Sequence, residues 1–471
     1  MKHLTLTDYI VWVRDGSISP VDQLNYYIDK AKSDPLNAWI TITDDYALDH
    51  VDSLIDLPLA GAAIGIKDNI NVRWTPMTCA SQILSDYTSP YTAFSYLNLE
   101  QTWWVMIGKN NMDELAMGWS GQNSNYGPTL NPHDHSRITG GSSSGGAAAV
   151  AAGQCIAALG TDTWWSVRQP AAMCGIVWVK PTYGRVSRYG VQAMASGLDQ
   201  VGTLTQTVDD AIILLQSISG YDPQDATSAD RDDHLQWTIS LPNPKELKIC
   251  ILEEFMSDWL DKQIRDRMDE VVARLIHQWY QINLVSMPLI SSSLAIYYIL
   301  CPAQVSTNMS RFDGLRFGLQ HNTSDYPNLQ AYYADVRSEW FGDEVIRRIL
   351  TGTYVLSSWY YDAYYHKALL AQQALKSEFA RIFADYDLII WPTSPVPAWK
   401  IGDNMDDPVA DYLADIYTVS VNIAWLPAIS VPMWTASVDW SDLPVGLQLI
   451  ANHWREDQLF AMGKVIEELK L

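Results

Sequence analysis

Three residues of this 471-residue chain could together make an activated serine nucleophile: Lys67, Ser142 and Ser166. A serine hydroxyl is a weak nucleophile until a base takes its proton. Lys67 is an isolated cation at the end of the apolar run AAIGI (62–66). Burial lowers a lysine's pKa, and a neutral lysine can act as that base. Ser142 lies in TGGSSSGGAAAVAAG (139–153), where glycines flank serines just before a helix of very small side chains. This pattern gives tight turns and hydroxyls at a helix N-terminus. A flexible linker would not run straight into a small-residue helix and then an apolar strand. A phosphate loop of the Walker kind fails because no lysine follows the glycines. Ser166 comes 24 residues after Ser142, in GTDTWWSVRQPAA (160–172). Ser142 could relay a proton between Lys67 and Ser166.

These residues need strands and helices to hold them. Apolar runs at 59–70, 105–111, 155–162 and 175–184 read as strands, and 145–153 as a helix that permits close approach. Alternation of the two over 60–220 predicts an α/β sheet. Before it, TDYIVWVRDG has helical spacing and ends at Gly16, and Ser19-Pro20 opens a second helix with Ser19 as N-cap. Residues 255–380 read as helical, and strands return at 387–392, 428–433 and 445–450. The whole predicts one α/β domain with a central mixed β-sheet covered by helices on both faces. Its parts are N-terminal helices (1–58), a core (59–220), a helical insertion (255–380) and strands completing the core (385–471). There is no internal repeat.

Composition narrows the partners. A net charge of −23 repels phosphate backbones, so any RNA should be held by a partner chain. The N-terminus has no long apolar run after its charges and does not read as a signal peptide. No stretch is expected to span a membrane. Five scattered cysteines, with no C-x-x-C, read as free thiols in a reducing cytoplasm. His133-x-His135 lacks a third ligand nearby and reads as a polar loop, so no metal is expected. Twenty tryptophans against eight phenylalanines is an unusual balance.

GIKDNI (65–70), GGSSSGGAAAVAAG (140–153), GTDT (160–163) and SVRQPAAMCG (166–175) resemble the amidase signature family. The resemblance implies that Lys67 is the base, Ser142 a cis-peptide relay and Ser166 the nucleophile. It also implies an oxyanion hole built from the backbone of Thr163, Trp164 and Trp165. PLAGAAIGIKDNI, IGKNNMDELAMG, SRFDGLRFG, YYDAYY and LPAISVP extend the likeness nearly end to end. They resemble the A subunits of tRNA-dependent amidotransferases. Such a subunit frees ammonia from glutamine. A B subunit uses it, with ATP and Mg²⁺, to amidate the glutamate on Glu-tRNA(Gln), and a small C subunit clamps the other two together. The resemblance therefore implies no cofactor in this chain, partners B and C, tRNA held mainly by B, and a cytoplasmic setting of bacterial type or an organelle.

Glutamine is a zwitterion, so its pocket needs a cation and an anion. The resemblance assigns Arg348 to the carboxylate and Asp415 to the ammonium, with Tyr298 lining the pocket. A stand-alone amidase for another amide would need neither charge. A third reading is a scaffold subunit of impaired activity. Its basis is that tryptophan stands where the family usually has glycine, at 74, 103, 104, 164, 165, 178, 359, 391, 425 and 434. Trp164 and Trp165 replace the glycines of the oxyanion hole. Their indoles must either point away from the glutamine pocket or fill it.

Overall fold

Alternating small and branched apolar residues build the centre of the molecule. Every residue of AAIGIK (62–67), WVMIGKN (104–110) and AALGTD (157–162) is buried, as expected of strands covered on both faces. The computed structural model describes residues 4–51, 61–102, 104–231, 239–256, 260–403 and 416–469. Within them, eleven strands form one mixed sheet. In chain order they are β1 (Trp39–Ile42), β2 (Ala62–Lys67), β3 (Trp104–Asn110), β4 (Ala157–Asp162), β5 (Val177–Lys180) and β6 (Gln200–Thr205). The remainder are β7 (Lys248–Leu252), β8 (Gln281–Val285), β9 (Leu388–Pro392), β10 (Ala428–Val438) and β11 (Ser441–Ala451). Their spatial order is β1-β3-β2-β4-β6-β5-β10-β11-β9-β7-β8.

The early and late parts of the chain meet at β5 and β10, where Lys180 pairs with Ala428. The sheet is therefore one continuous unit, as expected. Two strands appear where helix was expected. β1 is four residues long, and β8 is an edge strand whose side chains are mostly exposed. Neither carries a buried apolar run, so neither announces itself. The first two helices start as expected. The Ser19 hydroxyl accepts from Asp22 N at 3.3 Å, with Pro20 in the first turn.

One segment departs from the membrane expectation. Residues Pro288–Arg311 are long and apolar enough to cross a bilayer, but half of the stretch is buried inside the protein. Its helix, Ser293–Asn308, packs against the helices Asp343–Leu356 and Lys367–Asp385. One face of it, with Ile296, Tyr297, Leu300, Cys301 and Val305, is buried in the protein.

The helix Ser144–Ala151 places the serine loop. A Cβ on Gly145 would lie 2.3 Å from Ala38 O, so only glycine lets this helix sit so close to the chain beneath it.

Candidate functional site

Lys67 is the last residue of β2, whose neighbours β3 and β4 run parallel to it. Its side chain ends beneath the serine loop. Nζ lies 2.7 Å from Ser142 Oγ, 2.8 Å from Ser143 Oγ and 3.2 Å from Thr161 O. Burial pulls the Lys67 ammonium down to about 7, against the attraction of the Asp113, Asp162 and Asp199 carboxylates. The Gly141–Ser142 peptide is cis. Asp113 supports this turn, its N–H donating to Ser142 O at 3.2 Å, while its carboxylate accepts from Gly121 N at 3.1 Å and Asn123 N at 2.9 Å. Burial raises the Asp113 carboxyl to about 6, while the two N–H groups and Lys67 hold it down.

Ser166 sits in the turn between β4 and the helix Arg168–Cys174. Ser143 N donates to Ser166 O at 2.9 Å, which ties the serine loop to the nucleophile loop. Among the described residues, the Ser142 and Ser166 hydroxyls do not hydrogen-bond to each other. The backbone N–H groups of Thr163, Trp164 and Trp165, and that of Ser166, donate to no group among the described residues, which leaves them available to an oxyanion. Thr163 Oγ1 donates to Asp199 Oδ1 at 2.7 Å, which fixes the start of the loop.

Arg168, fully buried, holds the same loop from behind. It makes an ion pair with Asp162 at 3.1 Å, and donates to the Trp164 carbonyl, Thr418 O, Gln448 Oε1 and Asn422 Oδ1. Spacing alone gave no sign of this network. The only sequence signal is a charged pair, Asp162 and Arg168, on either side of an otherwise uncharged loop.

Arg348 lies on the helix Asp343–Leu356 and is almost fully buried. Nε donates to Glu344 Oε1 at 2.6 Å and Nη1 to Tyr297 OH at 3.3 Å. Nη2 is buried with no partner. Glu344, one helical turn before Arg348, was legible as an i,i+4 pair. Tyr297 touches the arginine, and the Tyr298 ring lies 5.2 Å from that of Tyr297 and 6.3 Å from that of Trp164. Adjacent tyrosines on one helix cannot be told apart from the motif alone. Asp415 lies outside the described residues.

The indole of Trp164 occupies the space in front of Arg348. The guanidinium stands 4.0 Å from its ring centre, and the rings of Tyr297 and Trp165 lie at 4.2 Å and 4.4 Å. Both indole N–H groups are buried without an acceptor. The Trp164 indole thus fills the space beside the guanidinium, with Trp165 packed against it. His133 Nε2 contacts Cys174 O at 3.0 Å, so one ring nitrogen of the histidine pair is already engaged by the backbone.

Comparison with known proteins agrees with this geometry. The profile of the family described as Amidase matches residues 22–460. The chain is 44% identical over 468 residues to the A subunit of glutamyl-tRNA(Gln) amidotransferase from Halothermothrix orenii, covering 99% of this chain and 97% of the relative. It is 46% identical to the protein of the same name from Akkermansia muciniphila, covering 98% and 99%. The crystal structure of the corresponding glutamyl-tRNA(Gln) amidotransferase protein from Thermotoga maritima superposes with a TM-score of 0.81 at 36% identity, covering 99% of this chain and 94% of that one. A 6-aminohexanoate cyclic dimer hydrolase bound to its substrate shares the fold, with a TM-score of 0.86 at 24% identity over 99% and 97% of the two chains. With a buried lysine beneath a cis-peptide serine, and likeness to its relatives from one end to the other, this chain belongs to the amidase family.

Proposed function

We propose that this chain is the glutaminase subunit of a tRNA-dependent amidotransferase and hydrolyses glutamine to supply ammonia. One juxtaposition carries the reading. A lysine whose pKa is drawn to about 7 lies under Ser142, and a buried arginine with an unpartnered Nη2 faces the same loop through Trp164. The lysine suits proton transfer at neutral pH. The arginine suits the carboxylate of an amino-acid substrate, for which a free guanidinium edge is the natural partner.

Neutral Lys67 takes the Ser142 proton and, once bound substrate brings the two hydroxyls into hydrogen-bond reach, Ser142 takes that of Ser166. Ser166 Oγ attacks the side-chain amide carbon of glutamine. The oxyanion accepts hydrogen bonds from the free N–H groups of the 164–166 loop. The proton held on Lys67 returns through Ser142 to the departing nitrogen, which leaves as ammonia. A glutamyl ester on Ser166 remains, and water activated by the same relay releases glutamate. Arg348 holds the substrate's α-carboxylate and Asp415 its α-ammonium, with Tyr297 and Tyr298 along the wall.

The ammonia passes to a B subunit, which consumes ATP with Mg²⁺ to convert Glu-tRNA(Gln) to Gln-tRNA(Gln). A small C subunit holds this chain and B together. The tRNA rests mainly on B, since this chain's charge of −23 repels phosphate. This chain needs no cofactor or metal of its own and works in the cytoplasm.

Trp164 stacks on Arg348 where the carboxylate would go. That contact favours a second reading, in which the chain as it stands is a member of the complex with little glutaminase activity. Ammonia release from glutamine decides between them, measured on the chain and on its Trp164→Gly/Trp165→Gly variant, each alone and with B and C. Release by the variant with B and C supports the glutaminase. No release from the variant in the assembled complex sinks it. Brisk hydrolysis of uncharged amides in preference to glutamine would instead favour a stand-alone amidase.

A further inference from the structure

Tryptophan stands at five backbone positions built for glycine. Trp74, Trp279, Trp425, Trp440 and Trp454 have φ of 64°, 74°, 65°, 69° and 66°, in the left-handed region that side chains avoid. Their settings are specific. The helix Lys262–His277 ends in a Schellman motif, with Tyr280 N donating to Leu275 O and Trp279 N to Ile276 O. The helix Ile416–Ile423 ends the same way, with Leu426 N on Val421 O and Trp425 N on Asn422 O. In both, tryptophan holds the position one past the cap, where glycine is usual.

The same chain uses glycine there in two other helices. Gly16 (φ 75°) follows Leu6–Arg14, and Gly153 (φ 67°) follows Ser144–Ala151, each with the same pair of hydrogen bonds. Trp440 is the second central residue of the β10–β11 hairpin, whose two-residue loop Asp439-Trp440 has φ of 50° and 69°. This is a type I′ turn, for which Asp-Gly is a favoured loop sequence. Trp74 is the third residue of a turn closed by Thr75 N on Val72 O, the glycine position of a type II turn.

A separate observation extends the set into the pocket. Trp104, Trp164, Trp165, Trp178, Trp399 and Trp434 bury an indole N–H with no acceptor. Buried indoles usually find a partner. Trp39 does so, donating to Gln154 Oε1 at 2.7 Å, as do Trp391 to Tyr417 O at 2.6 Å and Trp425 to Gly197 O at 2.9 Å. The backbone of Trp425 rather than its indole therefore marks it out. Of the eleven non-glycine residues with positive φ among the described residues, five are tryptophan, and the other six are spread over Asn, Cys, Ala, Leu and Asp. Independent mutations of glycine would not favour one bulky type in unrelated turns and caps. A single cause in decoding accounts for the recurrence.

We infer that the protein made in its source carries glycine at positions 74, 279, 425, 440 and 454, and at 164 and 165: the codon behind these tryptophans is one the source reads as glycine. Glycine at 164 and 165 removes the indole from Arg348 and opens the pocket. Decoding as glycine thus restores both the turns and the site.

Peptide sequencing by mass spectrometry tests this on the protein purified from the organism that carries the gene. Glycine is expected in the peptides spanning 279, 425, 440 and 164–165, and tryptophan in them overturns the inference. A second measurement tests the physical basis. A recombinant chain with glycine at the five strained positions should melt higher than the tryptophan chain by on the order of 10 °C. Trp39→Gly, which removes a hydrogen-bonded indole, should melt lower. A lower melting temperature for the five-glycine chain also overturns the inference. Neither measurement depends on glutamine. Glycine in the peptides together with an inactive complex would leave this inference standing and remove the glutaminase reading.

Discussion

Glutaminase activity should switch on as the pH passes 7, because that is where Lys67 becomes a base. A solvated lysine of pKa about 10.4 would be neutral in roughly one molecule in a thousand at pH 7.5. With its pKa drawn to about 7 by burial, about three molecules in four are neutral at that pH. Burial therefore supplies nearly 10³ in competent base. The assay is ammonia release against pH in the Trp164→Gly/Trp165→Gly chain, assembled with its B and C partners. Below pH 7, kcat should rise about tenfold per unit, and above it the curve should flatten.

Asp113 offers an independent handle on the same limb. Its carboxylate pulls the Lys67 pKa upward, and its own pKa of about 6 means that it carries charge across the upper part of the limb. Asp113→Asn keeps an acceptor for Gly121 N or Asn123 N but removes that attraction. The limb should move to lower pH, by about one unit or less. A limb near 10, or one that moves upward in Asp113→Asn, would refute the account of Lys67 as a base tuned by burial.

Three other substitutions probe the rest of the machinery. Lys67→Met should lower kcat by about 10³ or more without lowering stability, since it removes a buried cation. The sign follows from linkage: the folded pKa lies below the unfolded one, so the penalty is full below pH 7 and relieved as pH rises towards 10.5. Denaturant melts should therefore show the variant's advantage shrinking over that range. Arg348→Ala should raise the KM for glutamine by about 10²-fold or more with a smaller change in kcat, since a buried carboxylate contact is worth several kcal/mol. An unchanged KM in an active chain would reject Arg348 as the carboxylate partner. Arg168→Met should cost about 3–5 kcal/mol in a thermal or denaturant melt, because it leaves the Asp162 carboxylate buried and unpaired. An unchanged midpoint would show that the pair is not holding the loop.

Much of the frame was legible because its strands are buried on both faces. AAIGIK, WVMIGKN and AALGTD carry near-continuous apolar runs, and the small-residue helix after the serines needed no partner to be recognised. β1 and β8 were not legible, since the first is only four residues long and the second is an exposed edge strand. The long apolar stretch at 288–311 shows the opposite problem. Its composition matches a membrane span, and only tertiary packing reveals a core helix. At the site, Lys67 beneath Ser142 followed from the apolar run and the serine loop. Other partners at the site were silent in sequence: Asp113 lies far from Lys67, Tyr297 far from Arg348, and Thr418, Asn422 and Gln448 far from Arg168. The destination of the indoles depended on the free space beside Arg348, which no spacing rule measures.

The Arg168 network also explains why a nucleophile in the first half of the chain requires the last strands. Ser166 lies between β4 and a helix packed on β11. The loop on which it sits has no regular structure of its own, and its N–H groups must stay unpaired to serve an oxyanion. A loop with unpaired donors has to be held by its carbonyls instead. Arg168 does this at Trp164, and the arginine is in turn fixed by Asp162 from β4, by Gln448 from β11, and by Thr418 O and Asn422 from the helix Ile416–Ile423. Asn422 closes the circle by donating to Asp162 Oδ1 at 2.8 Å. Were the distal strands only a cover for the sheet, their loss would leave the loop's geometry intact. Because they hold the arginine that holds the loop, the nucleophile loop rests on β11 and the Ile416–Ile423 helix as well as on β4.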